Sequence, residues 1–207
     1  MTDSLKAWHF LREDGCLRYE PHTKVEVGQT LKYNGFWPTS QQGYHASVRA
    51  MDALKYAPGP IVCRVELGGV IVEEKDKAVA SERTVLAMAN ASTVLHEFAC
   101  DIAEACLRKH GVTDERSWVA IETKRKWVKG EATDEELFAA TGAARAAVRA
   151  AQAVWAIWVV QVALAREAGR AAQATAREAA ETEAEVAAQN IDLEKRLRGL
   201  LGVGDET

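Results

Sequence analysis

From Leu137 to Leu200 one feature limits what this chain can become. Leu137, Thr141, Ala144, Val148, Ala151, Trp155, Trp158, Val162, Ala165, Gly169, Ala172, Ala176, Ala179, Glu183, Val186, Asn190, Leu193, Leu197 and Leu200 follow one another in alternating steps of four and three. That is a single heptad phase, held without interruption. The stretch has no proline, and 22 of the 50 residues from Ala139 to Ala188 are alanine, the residue least resistant to helix formation. Two packings satisfy such a seam. One long helix can pair with a second copy, or the chain can fold back near Gly169 and bury Trp155 and Trp158 in its own bundle. The uniform phase favours a homo-oligomer built through the distal segment, with Val186, Asn190, Leu193, Leu197 and Leu200 as its contacts. A polar Asn190 on the seam would set the register at some cost in stability.

The first 86 residues differ in kind. They carry 11 basic and 11 acidic side chains, while the remainder carries 15 and 19 and supplies the whole net charge of −4. Ala7–Leu11, the turn Asp14-Gly15 and Cys16–Tyr19 read as a hairpin. A strand is expected over Val25–Leu31, then a loop to Gln42. A short helix is expected over Val48–Tyr56, capped by the Ser47 hydroxyl and stopped by Pro58-Gly59-Pro60. Ile61–Leu67 is the strongest strand, with Gly68-Gly69 as a tight hairpin into Val70–Val72, and a last strand covers Arg83–Met88. The expected class is α+β: a small, mostly antiparallel sheet with one short helix over residues 1–88, then an all-α, Ala-rich bundle or coiled-coil half over 89–202 and a frayed tail at 203–207. In that half, helices are expected over Ser92–His110, ended by Gly111, and from Thr113 as cap to Lys129, ended by Gly130. Thr133-Asp134-Glu135-Glu136 is a capping box.

Charge and motifs narrow the chemistry. Lys plus Arg total 26 against 30 Asp plus Glu, which is not the basic footprint of a nucleic-acid binder. The longest apolar run, Ala153–Ala165, is shorter than the roughly 20 residues of a membrane span. No secretory leader is legible, so a cytoplasmic protein with reduced thiols is expected. Cys16, Cys63, Cys100 and Cys106 form no metal-binding spacing. No nucleophile elbow, P-loop, zinc-protease or dinucleotide fingerprint occurs. A non-enzymatic protein without cofactor or metal is the reading these absences favour. Gly43-Tyr44-His45-Ala46-Ser47 places a histidine and a serine at a strand-to-helix junction suited to meeting an anion. With Tyr56 these residues form one expected ligand set. Lys124, beside Trp127 in a basic stretch, offers an aromatic-plus-cation surface for a nucleotide or phosphate.

Gly43–Ser47, Asp52–Tyr56, Cys63–Gly69 and Asp76–Ser81 together resemble a small uncharacterised domain common in phage and prophage proteins. The resemblance covers about Ala7 to Leu86. Phe98–Glu104, Asp114–Trp118, Ala120–Glu122 and Gly130–Thr133 are similar to Ala-rich helical domains of the immunity-protein type. Together these likenesses imply a phage accessory protein. With no catalytic constellation and with His45 and Ser47 at a helix start, the expected role is to bind a nucleotide-like anion or a host protein and to counter host defence. A structural protein that assembles through its C-terminal helices is the alternative. The order His9, Tyr44 or Tyr56, Glu82 resembles the His-Tyr-Glu order of ADP-ribosyltransferase folds, which implies an NAD-using enzyme as a third reading.

Overall fold

The computed structural model describes residues 4–19, 23–35, 42–150, 168–180 and 182–204. Trp155 and Trp158 lie outside the described residues. The chain forms an antiparallel sheet with helices, a mixed α+β protein, and divides into two compact units. One unit comprises Met1–Ala91 with Asn190–Thr207, the other Ser92–Gln189.

The first unit is built on two long strands, β4 (Ile61–Glu73) and β5 (Ala78–Asn90), preceded by β1 (Leu5–Leu11), β2 (Thr30–Lys32), β3 (Tyr44–Ala46) and the short helix α1 (Ala50–Leu54). All pairing is antiparallel. The order is β1-β4-β5-β2, with β3 beside β2 on the same edge of β5. Backbone bonds between Trp8 and Ser47, at 2.7 and 2.9 Å, then link the end of β3 back to β1. The pairing thus runs β1-β4-β5-β3 and returns to β1, so this end of the sheet closes on itself.

Three expectations change here. Leu5–Leu11 pairs with β4, not with Cys16–Tyr19. The Asp14-Gly15 turn instead leads into a loop, where the Asp14 carboxylate accepts the Cys16 amide and Cys16 makes an isolated bridge to Lys24. Gly68-Gly69 does not reverse the chain. Gly69 takes φ +70° at a register shift in β4, and the Ser81 hydroxyl occupies the space a Cβ would need, accepting the Val70 amide. This is a bulge, made by the residue that tolerates positive φ. The reversal lies at Glu74–Lys77, where the Glu74 amide bonds the Lys77 carbonyl. Finally, Ser47 does not cap α1. The cap position is Arg49, which offers no side-chain bond.

One sheet face carries Ala7, Leu11, Val65, Leu67 and Val85 in a buried cluster. On the alternate residues, Trp8, Phe10 and Val62 are also buried. The guanidinium of Arg64 stands 4.8 Å from the Trp8 ring and that of Arg198 stands 6.0 Å from it.

The second unit is helical among its described residues: α2 (Ser92–Lys109), α3 (Glu115–Val128), α4 (Asp134–Ala150), α5 (Ala168–Ala179) and the first turns of α6 (Glu183–Leu201). Small residues dominate its core, with Ala99, Ala103, Ala144 and Ala171 beside Leu107 and Ile121. The Thr133–Glu136 box closes in both directions, at 2.7 and 3.2 Å. Gly111 and Gly130 end α2 and α3 in left-handed conformations, as Gly does best. The cap of α3 is Asp114 rather than Thr113, accepting the Arg116 amide at 3.0 Å.

The seam is not one helix. Gly169 lies inside α5, and the break falls between Ala179 and Glu183. There Thr182 and Glu185 form a second capping box, at 3.1 and 3.2 Å.

Candidate functional site

Arg83 sits in the middle of β5, paired with Leu31 on one side and Leu67 on the other. Alternation puts it on the apolar phase of the strand with Val85, and it is 2% exposed. A guanidinium so placed loses its hydration and needs an anion or several acceptors in return. It has few. Nη1 donates to the His45 carbonyl at 2.9 Å, and the group stands 5.2 Å from the centroid of the Tyr44 ring. Its Nε is buried without a hydrogen-bond partner. Among the described residues, the groups that hold its charge in place are Cys63 and Tyr44, neither of them a carboxylate. Burial lowers its pKa to about 10, which still leaves it charged at neutral pH.

Two further groups complete the cluster. His9 lies in β1 opposite Cys63 of β4. Burial of its ring, then the charge of Arg83, then His45, hold its pKa well below the ordinary imidazole range, while a bond to the His45 backbone acts the other way. His9 is therefore neutral at physiological pH. Burial pushes the Cys63 thiol up to about 12, against the pull of Arg83, so it is no nucleophile at neutral pH. The result is one buried cation beside a neutral imidazole, a thiol and a phenol. Such a cluster can attract and orient an anion.

Of the residues singled out in the sequence, Tyr44 and His45 belong to this cluster, Tyr44 by its ring and His45 by its carbonyl. Ser47 is next to it in sequence, but is buried and committed to Trp8 through its backbone. Tyr56 is elsewhere: its hydroxyl donates to Asp76 at 3.0 Å, Lys55 bonds the same carboxylate, and Lys77 stands over its ring. Glu82 pairs with Lys32 at 3.0 Å, so the carboxylate of the His-Tyr-Glu order is held in a salt bridge. Lys124 and Trp127 do meet, with Nζ 3.8 Å from the ring centroid. Lys124 is fully buried and Trp127 half-buried. His96 meets the same ring edge-on at 5.4 Å.

The residues expected to join two copies are largely used within the chain. Leu193 and Leu197 are fully buried and Asn190 nearly so. The Asn190 side chain accepts the Met51 amide in the sheet unit. Val186 is half-buried, and of the five only Leu200 is exposed.

Sequence reasoning missed Arg83 as a site residue and placed His9 only in the His-Tyr-Glu order. The legible signal was an arginine on the phase of Val79, Ser81 and Val85, where a solvated cation does not belong. Among the described residues no group of three or more His, Cys, Asp or Glu side chains could hold a metal ion, and no helix is long and apolar enough to cross a membrane. No family model matches the chain, and neither curated proteins nor solved structures give a match.

Proposed function

We propose that this is a non-enzymatic binding protein whose sheet unit takes a small anionic ligand on Arg83. The observation that carries the reading is the buried guanidinium whose Nε has no acceptor and which, among the described residues, no carboxylate neutralises. A charge held in that state destabilises the unliganded protein and is relieved by an anion, and a buried group so perturbed is a candidate for a functional site. The neutral His9 and the high-pKa Cys63 support binding over chemistry, since neither supplies an activated nucleophile. In the phage setting implied by the N-terminal resemblance, such a module would sequester a small molecule of the host.

Native and denaturing mass spectra of the same sample test for a co-purified ligand, seen as an extra mass lost on denaturation. Thermal unfolding against a panel of nucleotides and organic acids tests binding directly. A ligand at a hundred times its dissociation constant adds about 2.7 kcal/mol, several degrees in Tm. Arg83→Met should abolish every such shift while leaving the unliganded Tm equal or higher, because it removes an uncompensated charge. If Arg83→Met instead lowers the unliganded Tm, and no anion stabilises the natural protein, the residue is structural and the reading is wrong.

A further inference from the structure

Resting on that reading, the geometry points to the kind of anion: a singly charged oxyanion that presents two oxygens to one edge of the Arg83 guanidinium, either a carboxylate or a phosphodiester. Two observations lead there. The first is which edge is free. Nη1 is committed to the His45 carbonyl, and Nε has no partner. The side of the guanidinium formed by Nε and Nη2 is therefore the side left to a ligand. Two parallel N–H groups on that edge match two oxygens of one group, the bidentate pairing that distinguishes arginine from lysine.

The second observation is the charge count. Arg83 contributes one positive charge. Of the neighbours that act on it, the Cys63 thiol is pushed up to about 12 and is neutral at physiological pH, and Tyr44 brings a phenol rather than a carboxylate. His9 is neutral as well, and the charge of Arg83 is among the causes. Leu31 and Leu67 flank the guanidinium in register and add no polar group. A single negative charge balances the site. A dianion such as a terminal phosphate would leave one negative charge buried without compensation.

The test uses the full chain at pH 8 and fixed ionic strength, with chloride as the reference salt. Acetate and dimethyl phosphate are the singly charged probes, and inorganic phosphate, mostly a dianion at that pH, is the third. Acetate or dimethyl phosphate should raise Tm, and whichever acts more strongly identifies the carboxylate or the diester source. Phosphate should bind roughly tenfold more weakly or worse, the penalty of an uncompensated buried charge. Arg83→Lys keeps the charge and loses the two-nitrogen edge, so it should lose most of the shift; Arg83→Met should lose all of it. If phosphate matches the singly charged probes in an Arg83-dependent way, the charge argument is overturned while anion binding stands. If Arg83→Lys binds as tightly as the natural protein, the edge argument is overturned. If no probe and no anion of the wider panel stabilises the natural protein, the binding reading itself fails.

Discussion

Asn190 Oδ1 accepts the backbone N–H of Met51 at 3.0 Å, joining positions 139 residues apart in sequence. Beside it, Glu194 Oε1 accepts the Ala50 N–H at 3.1 Å and the Asn190 side-chain amide at 2.8 Å. Helix α1 is five residues long and has no side-chain cap of its own, so the first two amides of its opening turn are satisfied by the C-terminal helix. Asn190→Ala leaves the Met51 amide buried without its acceptor, at a cost of about 1–3 kcal/mol. Thermal unfolding should show a Tm lower by several degrees. Ile191→Ala, at an exposed neighbour, should unfold with the natural protein. Equal melting of Asn190→Ala and the natural protein would show that this cap contributes nothing.

His9 gives the sheet unit a pH dependence whose sign follows from its environment. Its folded pKa is depressed, mainly by burial of the ring and then by the Arg83 charge. In the unfolded chain it titrates near 6.5. As pH falls through that value the unfolded state takes up a proton that the folded state refuses, so stability falls with pH. One such group changes stability by at most about 1.4 kcal/mol per pH unit. Denaturant midpoints between pH 7.5 and 5 should therefore decline, and His9→Gln should flatten the decline. A midpoint that rises as pH falls over this window would contradict the neutral, desolvated imidazole.

The thiols separate by burial. Cys63, Cys100 and Cys106 are buried, and Cys16 is half-buried. Burial pushes Cys63 to about 12 and Cys100 to about 11, so neither presents a thiolate at pH 8. Iodoacetamide under native conditions should alkylate Cys16 first, with the other three protected until the chain unfolds. Peptide mapping over time reads this directly, and early labelling of Cys63 would mean that the interior of the sheet unit opens readily.

How much of this was legible depends on how local the cause is. The Thr133–Glu136 box and the stops at Gly111 and Gly130 are decided within one turn of chain, and the sequence displays them. The heptad phase correctly marks Asn190, Leu193 and Leu197 as one buried face, but a phase does not say what covers it. Here Asn190 meets α1, which lies more than a hundred residues earlier. Ser47 has the right residue type for a cap, yet strand pairing with Trp8 claims it first. Gly68-Gly69 has the composition of a hairpin turn, but the long register between β4 and β5 absorbs it as a bulge. Arg83 was read as the start of a strand, because its meaning comes from Leu31, Leu67 and the His45 carbonyl, none of them near it in sequence.

The break in the Ala-rich seam was legible and overlooked, since Thr182-Glu183-Ala184-Glu185 is itself a capping box. Its two reciprocal bonds define where α6 begins. An unbroken helix would protect the amides of Glu183 and Ala184 through carbonyls one turn earlier. At a helix start those amides have no partner within the helix, so they should exchange with solvent much faster than the amide of Val186, which bonds the Thr182 carbonyl at 3.1 Å. Thr182→Ala removes the acceptor of the Glu185 amide, should speed its exchange, and should cost about 1 kcal/mol. Uniform protection from Ala179 through Val186 would mean that the seam runs on as one helix after all.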